Sequence, residues 1–577
     1  MTPKKILRRP QPELVPDWGQ NLPPLLRRLY AARGVTSDEQ LSYTLRHLAS
    51  PLSLRGIDRA VELLSEAIQQ QQRVLVLGDF DADGATSTAV AMLGLSMLGL
   101  QSIDFRVPSR FADGYGLTPG IIERLRDEGE LPDLMVTVDN GISAVEGVRA
   151  AKELGVKVVV TDHHLAGDEL PDADAIVNPN QPGCPFLSKN AAGVGVIFYV
   201  LTALRKRLRE SNQLPDPEPN LGSLLDLVAL GTVADVVALD HNNRIFVEQG
   251  LRRIRQGEAR PGILALLEVA GRDHTAISST DLGFVVGPRL NAAGRLDDMS
   301  IGIACLLADS QDEARRLARE LDTFNRERRT IEKDMKAQAQ DLLASMSLDL
   351  EGLPWGLALF DPDWHQGVIG ILAARIREQT HRPTIAFAPD DNGEDIKGSA
   401  RSIPGLHIRD VLAVVDSRHP GMLKKFGGHA MAAGMTLAKA DLDAFSEAFD
   451  RAVRDSASAE DLEAAITTDG PLALEELSLD TAALLKRAGP WGQHFPEPLF
   501  DGEFRVVSQR IVGENHLKLV LQPVEGGGII DGIAFNTGPE VPDYTRTGAR
   551  VVYKPDANTF RGRTNLQLLV DYLEPLS

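Results

Sequence analysis

The chain has 577 residues, which corresponds to three or four domains at about 100–200 residues each. Its 43% apolar and 25% charged residues are typical of a globular protein. The net charge of −20 argues against a general nucleic-acid binder, although a local basic surface can coexist with an acidic total. Only Cys184 and Cys305 occur, which excludes a disulfide framework and a cysteine-based zinc site.

Membrane insertion and secretion are not expected. No uninterrupted apolar stretch reaches the roughly 18 residues that a membrane-spanning helix needs. The first residues, MTPKKILRRPQPELVPDW, are basic but lack the apolar core of a secretory signal. The sequence therefore predicts a protein of the reducing cytoplasm.

The first half of the chain alternates between strand and helix patterns. Residues 1–49 are interpreted as an N-terminal arm, and 50–270 as the first domain. Valine-rich apolar runs at 73–79, 133–141 and 156–164 are separated by helical stretches at 87–100 and 144–155. This alternation predicts a parallel sheet with helices on both faces. Residues 221–239 are predicted as a buried helix that ends in a turn.

The second half predicts two further domains. Within a connecting region, 271–347, residues 309–347 have the composition of one long charged helix that bridges two domains or lies solvated on the surface. A second α/β region follows at 348–455. Region 456–577 begins with a linker and continues in short alternating strands, which favour a small OB-like β-barrel. The predicted fold is a multidomain α/β protein with this barrel at its end.

Polar groups follow each of the three predicted strands. They are Asp79, Asp81 and Asp83 after the first strand, Asp139 after the second, and Asp162, His163 and His164 after the third. The segment GTVADVV can bring Asp235 to the same place. Carboxyl ends of parallel strands meet at one edge of a sheet, and clustered carboxylates need a counter-charge. Oxygen ligands with imidazole suit Mn²⁺ or Mg²⁺, and two ions about 3.5–4 Å apart would serve phosphoryl chemistry.

Each of these segments also has a simpler interpretation. Asp-Gly sequences after strands are common turns, and adjacent histidines can cap a helix or lie on the surface. The pattern Asp-x-Asp alone also occurs in phosphatases with an aspartyl nucleophile. Four such segments in one α/β unit favour a shared metal site over four independent turns.

The motif set GDFDADG, VDNG, TDHH and GTVADVV resembles the DHH phosphoesterase family. The resemblance continues through VPSRFADGYGL (107–117), GPRLNAAGRLDD (287–298), KGSARS (397–402) and KKFGGHAMAAG (424–434). It extends over about residues 50–577 and is strongest to the single-strand-specific DNA exonucleases of that family. It implies a DHH domain, a connecting long helix, a DHHA1-type domain and an OB-like domain.

The resemblance also implies an activity, cofactors and partners. These are 5′→3′ hydrolysis of single-stranded DNA to nucleoside 5′-phosphates in repair and recombination, with Mn²⁺ or Mg²⁺, and association with single-strand-binding protein and a RecQ-type helicase. We expect a monomer. The implied catalytic residues are Asp79, Asp81, Asp83, Asp139, His163, His164 and Asp235. All but His164 are expected to bind metal, with Asp139 bridging, while His164 holds a second metal or contacts the phosphate. Some relatives carry a histidine where this chain has Leu77, which leaves the second metal site open.

Nine further residues are predicted to bind substrate: Arg110, Tyr115, Arg289, Arg295, Ser399, Arg401, Gly427, Gly428 and His429. KGSARS offers backbone N–H groups, a hydroxyl and a guanidinium to a phosphate. Between 397 and 425 the cations are Lys397, Arg401, Arg409, Arg418, Lys424 and Lys425, against Asp410 and Asp416. For isolated arginines the alternative is a solvated charge. Tyr115 either stacks on a base or is a core or turn residue.

Two other functions remain open from the sequence. One is a related phosphodiesterase that acts on short RNA, a cyclic dinucleotide or pyrophosphate; a long interdomain helix and a terminal barrel count against so small a substrate. The other is a non-catalytic repair scaffold, which would be expected to have lost metal ligands. All motif positions except Leu77 carry the expected residue.

Overall fold

The structure is a computed structural model that describes residues 4–12, 18–110, 113–345, 352–390, 393–513, 515–538, 541–560 and 562–576. Two compact units make up the chain. The parallel-sheet unit comprises Pro10–Asn325 and Ser478–Pro498, and the barrel unit comprises Met1–Arg9, Arg326–Leu477 and Leu499–Ser577. None of the described helices is long and apolar enough to cross a membrane.

The first part of the chain forms the predicted parallel sheet. Its elements, after β1 (Lys5–Arg8) of the barrel unit, are α1 (Pro24–Ala31), α2 (Ile57–Gln70), β2 (Val74–Leu77), α3 (Ala82–Met97), β3 (Ile103–Arg106), α4 (Pro119–Asp127), β4 (Leu134–Val138), α5 (Val145–Glu153), β5 (Lys157–Thr161) and β6 (Ala175–Val177). The strand order is β3-β2-β4-β5-β6, with all pairs parallel. Helices α4 and α5 cover one face, where Leu75, Met135 and Val158 form the core.

Both faces of this sheet are covered, since α3 and α6 contact it as well as α4 and α5. The central strands β2 and β4 are therefore apolar at nearly every position and buried throughout. The edge strand β3, with sequence IDFR, is only partly buried. The long motif at 107–117 follows β3, and its Phe111 and Ala112 lie outside the described residues.

A helical layer completes the parallel-sheet unit. Its helices are α6 (Gly193–Glu210), α7 (Leu225–Ala234), α8 (His241–Arg255), α9 (Pro261–Val269), α10 (Ser279–Asp281), α11 (Gly287–Leu296) and α12 (Ser300–Leu307), with a π-helical turn at Leu282–Val286. Helix α13 (Gln311–Ser345) is the predicted long charged helix, and its residues up to Asn325 belong to this unit. Residues 346 and 347 of the prediction lie outside the described residues.

The barrel unit begins with a mixed sheet. Its elements are β7 (Leu357–Phe360), α14 (Ile369–Thr380), β8 (Thr384–Pro389), β9 (Asp395–Arg401), α15 (Ile408–Arg418), β10 (Leu423–Gly428), β11 (Ala432–Ala438) and α16 (Leu442–Ser456). The order is β10-β11-β9-β8-β7, and only β7 and β8 are parallel. This is the predicted second α/β domain.

The remaining strands close the predicted barrel. The elements are β12 (Ala465–Thr468), α17 (Leu479–Arg487), β13 (Phe500–Val512), β14 (His516–Pro523), β15 (Ile530–Ala534), α18 (Tyr544–Thr547), β16 (Ala549–Phe560) and β17 (Arg563–Pro575). The barrel is closed in the order β13-β14-β15-β17-β16. Strand β1 pairs in parallel with β12, so the first residues are part of the barrel unit, whereas α17 belongs to the parallel-sheet unit.

Candidate metal centre

The candidate site lies at the carboxyl ends of β2, β4 and β5. From β2 the chain continues to the edge strand β3 and then returns to β4 on the other side of β2. The point between β2 and β4 is therefore the switch point where ligands of open parallel sheets bind. Asp79 follows β2, and Asp139 follows β4 directly.

The three aspartates after β2 each have a different local role. Asp79 is buried and accepts the N–H of Phe80 at 2.7 Å. Asp81 caps α3 by accepting the N–H of Gly84 at 2.9 Å. Asp83, in the first turn of α3, accepts the N–H groups of Gly193 and Val194 at 2.7 and 3.0 Å. The N-terminus of α6 therefore holds Asp83 in place.

Asp139 is the most tightly enclosed of these carboxylates. Its backbone is left-handed, with φ of +60°, a conformation that aspartate and asparagine tolerate better than most residues. A Cβ at Gly193 would lie 2.6 Å from Asp139 Oδ1, so only glycine leaves room for it. Asp139 Oδ1 is fully buried and accepts no hydrogen bond from the described residues. A buried carboxylate oxygen without a hydrogen bond is unfavourable unless a cation or another donor binds it.

The two histidines are fixed by Asp162. Asp162 Oδ1 accepts the N–H groups of His163 and His164 and lies 2.8 Å from His164 Nδ1. Its Oδ2 accepts the N–H of Ile142 at 2.9 Å. Asn180 and Asn178 donate to the carbonyls of His163 and His164, respectively, at 2.6 and 2.9 Å.

His163 lies at the centre of the carboxylates. Its Nε2 is 3.1 Å from Asp139 Oδ1, 3.5 Å from Asp235 Oδ2 and 3.9 Å from Asp83 Oδ2. Asp235 reaches this point from the C-terminal end of α7. Three groups of possible ligands, each within 4.8 Å, overlap here: Asp79, Asp81 and Asp139; Asp83, His163 and Asp235; and Asp139, His163 and His164. The structure thus brings together all seven residues predicted from the motifs.

The electrostatics are those of an anionic cluster without enough internal counter-charge. Burial, and then the charge of Asp81, raises the pKa of Asp79 to about 8 and that of Asp83 to about 7. Burial and the charge of Asp83 raise the pKa of Asp139 and of Asp235 well above the usual range. Burial would lower the pKa of His164, but its hydrogen bond to Asp162 and the surrounding carboxylates raise it to about 9.

These residues fit a divalent cation with hard oxygen ligands. The donors are carboxylate oxygens with one or two imidazoles, as Mn²⁺ and Mg²⁺ prefer. A cation at the cluster would satisfy Asp139 Oδ1 and offset the burial and mutual repulsion that raise the carboxylate pKa values.

The predicted substrate residues of the parallel-sheet unit differ in their surroundings. Tyr115 is half exposed, and its hydroxyl lies 3.3 Å from His164. The guanidinium of Arg110 stacks 3.9 Å over the ring of Phe80 and donates to the Gly294 carbonyl. Arg289 is buried and bonded to Asp322 at 2.9 Å, so its charge is already used within the chain. Arg295 lies partly buried in the last turn of α11.

The barrel unit brings Ser399 and Arg401 together on β9. Arg401 donates to Ser399 Oγ at 3.0 Å and to the Ala400 carbonyl at 2.8 Å. Gly370, in the first turn of α14, faces both: a Cβ there would lie 2.8 Å from the guanidinium and 2.9 Å from Ser399 Oγ. Gly427 and Gly428 end β10, and the exposed His429 follows, its N–H bonded to the Ala432 carbonyl.

Sequence reasoning assigned no positioning role to several residues that hold the cluster in place. Asp162 holds both histidines, and Asn291 accepts the N–H of Ala82 at 2.8 Å, next to the capping Asp81. The N–H of Gly193 holds Asp83. Asp162 and Asn291 lie inside the quoted motifs, so the motifs themselves were a signal. Gly193 comes from a distant segment with no such signal.

Comparison with known proteins shows the same three parts. Residues 73–232 match the DHH family N-terminal domain, 354–455 the DHHA1 domain and 468–572 the RecJ OB domain. The "Single-stranded-DNA-specific exonuclease RecJ" of Salmonella typhimurium strain LT2 is 52% identical over 580 residues, covering 100% of both chains. The protein of that name from Escherichia coli strain K12 is 51% identical over 574 residues, covering 99% of each.

Two solved structures extend the similarity to the fold. The RecJ of Thermus thermophilus in complex with Mn²⁺ has a TM-score of 0.79 at 29% identity, covering 99% of this chain and 79% of that one. Its complex with Mg²⁺ has a TM-score of 0.75 at 28% identity, covering 99% and 78%. With identity above one half along the whole of both chains in the first comparison, this chain belongs to the RecJ family.

Proposed function

We propose that this protein is a metal-dependent exonuclease that degrades single-stranded DNA from the 5′ end to nucleoside 5′-phosphates, in DNA repair and recombination. The observation that carries the proposal is the buried cluster around the orphaned Asp139 Oδ1. Relatives that are 51–52% identical along the full chain are named single-stranded-DNA-specific exonucleases.

The cluster contains two groups of possible metal ligands that lie next to each other. Asp79, Asp81 and Asp139 form one group, and Asp83, His163 and Asp235 form the other, with Asp139 Oδ1 3.1 Å from His163 Nε2. These two groups of residues would hold two divalent ions. When bound, such ions supply an activated water and stabilise the leaving oxygen of the phosphodiester. Mn²⁺ and Mg²⁺ both suit the ligands.

The chain's own residues orient the reacting groups. Asp162 fixes the ring of His164, which is partly exposed beside the cluster. We assign this ring to the scissile phosphate. Tyr115 closes over His164 in an edge-to-face contact with ring centroids 5.8 Å apart. Because Asp162 and two asparagines hold the histidine backbone, the rings need little reorganisation when substrate binds.

A second phosphate-binding place lies in the barrel unit. The guanidinium of Arg401, the hydroxyl of Ser399 and the N-terminus of α14 surround the space left by Gly370. Donors of these three kinds suit a phosphate oxygen. Gly427, Gly428 and His429 offer a close backbone approach and an imidazole to the strand. We assign a backbone phosphate or the 5′-phosphate to this place.

Partners and assembly belong to the same proposal. The family resemblance implies recruitment by single-strand-binding protein and by a RecQ-type helicase, and a monomeric cytoplasmic enzyme.

The test is digestion of an oligonucleotide labelled at either end, with Mn²⁺ and with EDTA. We expect Mn²⁺-dependent release of mononucleotide from a 5′ label at the earliest time points, and slow shortening of the 3′-labelled strand. Release of mononucleotide first from the 3′ label contradicts the polarity. Undiminished digestion in EDTA, or consumption of only a labelled trinucleotide, contradicts the proposed function.

A further inference from the structure

The most exposed large apolar side chains of the described residues are not scattered evenly. They are Leu187, Phe284, Ile529, Val236 and Leu165, which are 86%, 75%, 67%, 63% and 62% exposed. Only Ile529 belongs to the barrel unit. The other four are called here the apolar rim: two of them directly follow site residues along the chain, and two lie on segments linked to the site segments by hydrogen bonds or packing.

Two members of the apolar rim adjoin site residues along the chain. Leu165 directly follows His164, and Val236 directly follows Asp235. Val236 has φ of +62°, a left-handed conformation that costs a β-branched residue about 1 kcal/mol or more. Backbone strain of this kind is found at functional sites, where it holds a side chain in a required place. In this protein the strained residue is Val236, and its apolar side chain is exposed to solvent next to Asp235 in the chain.

The other two members are tied to the site through hydrogen bonds and packing. Asn180 donates both to the His163 carbonyl and to the carbonyl of Lys189, two residues after Leu187. Ser188 donates to Asp240 at 2.7 Å, which links the Leu187 segment to the segment after Asp235. Phe284 lies on the π-helical turn, where Gly283 faces Val233, two residues before Asp235. Such turns are frequent at functional sites.

The occupant of the apolar rim follows from what a metal centre for phosphodiesters must hold. The parts of a nucleotide that flank the scissile phosphate are a sugar and a base, and unpaired bases have apolar faces that pack on aromatic and aliphatic side chains. Bases in a duplex are stacked and paired, and do not offer those faces. The chain also carries a net charge of −20, which weakens purely electrostatic binding of DNA.

We infer that the apolar rim, Leu165, Leu187, Val236 and Phe284, contacts the unpaired nucleobases next to the scissile phosphate and contributes to the choice of single strands. This inference rests on the proposed function, because it assigns the base subsite of the same centre. It adds a contact that recognises bases, whereas the barrel-unit arginine and serine are assigned to phosphate.

The test compares two strands of equal length and charge, an oligothymidylate and an abasic oligomer, each about 20 nucleotides long, well beyond a single stacking site. Binding is measured by fluorescence anisotropy in EDTA, and turnover separately with Mn²⁺. For the double variant Leu187→Ser/Phe284→Ser we expect thymidylate affinity to fall about tenfold, the size of one lost base contact, while affinity for the abasic strand stays within about twofold.

Two further variants control for folding and for general surface effects. Leu154→Ser removes an exposed leucine at the opposite edge of the sheet, where α5 ends before β5, and should leave both affinities unchanged. Val236→Gly removes a rim side chain and relieves the positive φ, so it should weaken thymidylate binding without lowering the melting temperature.

Each outcome decides the question. Unchanged thymidylate affinity in the double variant and in Val236→Gly overturns the inference. The apolar rim would then be assigned to contacts with another protein. An equal loss for both strands also overturns it, since the rim would then not recognise bases. If the wild type cleaves neither strand with Mn²⁺ and binds neither, the proposed function fails first, and this result is distinct from an unaffected variant of an active enzyme.

Discussion

Two buried carboxylates of this protein, Asp139 and Asp501, show how differently a chain can treat the same group. Asp501, on β13, is fully buried, yet both of its oxygens are bonded: Arg8 donates at 3.1 and 2.8 Å, Thr468 at 2.6 Å and Arg550 at 3.1 Å. Asp139 is equally buried, but its Oδ1 accepts no hydrogen bond from the described residues.

The pKa values respond accordingly. Burial would raise the pKa of Asp501, but the hydrogen bonds from Arg8, Thr468 and Arg550 bring it below the usual 3.8. Burial and the charge of Asp83 raise that of Asp139 well above the same value. Burial alone therefore does not mark a metal site. What distinguishes Asp139 is a buried carboxylate oxygen that accepts no hydrogen bond from the described residues, although an imidazole lies beside it.

The largest effect is expected when the charge of Asp139 is removed. Asp139→Asn should lower the rate of single-strand digestion by at least about 10³-fold, because the proposed metal ligand loses its charge. The same change removes repulsion in the metal-free protein, and asparagine tolerates the positive φ. Thermal unfolding in EDTA should therefore show a gain of about 1 kcal/mol.

The exposed Asp172, which pairs with Lys152 at 2.9 Å, offers a control for Asp139. Asp172→Asn should change stability by no more than about 0.5 kcal/mol and leave the rate unchanged. A metal-free Asp139→Asn protein that is less stable than the wild type would show that the chain does stabilise this charge, and the contrast with Asp501 would disappear.

The second prediction concerns Asp501 and has the opposite sign. Asp501→Asn should destabilise the barrel unit by about 2 kcal/mol, because charge-assisted hydrogen bonds to Arg8 and Arg550 are lost. The folded pKa is lowered, so this stabilisation is complete above the unfolded value of 3.8 and is lost as the pH falls through the folded value.

Unfolding measured by urea at several pH values checks both statements about Asp501. The difference between wild type and variant should be constant near neutral pH and shrink only in acid below about pH 4, where the unfolded carboxyl becomes protonated. Equal stability of the two proteins at pH 7 would contradict the prediction, and so would a difference that grows on acidification.

The third prediction tests whether the enclosure of Asp139 matters. In Gly193→Ala the new Cβ would come within 2.6 Å of Asp139 and disturb the segment that holds Asp83. The apparent affinity for Mn²⁺, measured by titration calorimetry, should fall about tenfold, as for loss of a residue that orients metal ligands. Gly195→Ala is the matched control in the same helix, since its Cβ meets nothing closer than 3.6 Å. Similar losses in both variants would mean that α6 as a whole is intolerant of alanine.

The sequence predicted the convergence of the carboxylates and histidines better than the elements around them, for physical reasons. Strands β2, β4 and β5 are buried on both faces and so are recognisable as apolar runs, and parallel strands necessarily bring their carboxyl ends together. The edge strands β3 and β6 were missed, because short and partly exposed strands lack that pattern. Helix α3 starts at Ala82 rather than near residue 87, because Asp81 acts as its N-cap.

The basic region was harder to interpret because counter-charges come from outside it. Between 397 and 425 the sequence offers six cations against two aspartates, but Lys397, Lys424 and Arg418 are paired with Asp390, Asp395 and Asp455 at 2.6–2.8 Å. These aspartates lie outside that window of sequence. An excess of local charge along the chain thus overstated the charge that is free to bind phosphate.

The smallest effect is expected for substitutions of two basic residues, Arg401 and Lys424. Lys424 is held by Asp395, whereas Arg401 donates to a serine hydroxyl and a carbonyl beside the N-terminus of α14. Arg401→Ala should weaken single-strand binding about fivefold at moderate salt and lower the slope of log affinity against log salt by about 0.7, the value for one phosphate contact. Lys424→Ala should change affinity by less than about twofold, since its charge is already compensated within the chain. Anisotropy titrations at several salt concentrations in EDTA measure both quantities. Equal slopes for the two variants would mean that Arg401 does not contact a phosphate of the DNA.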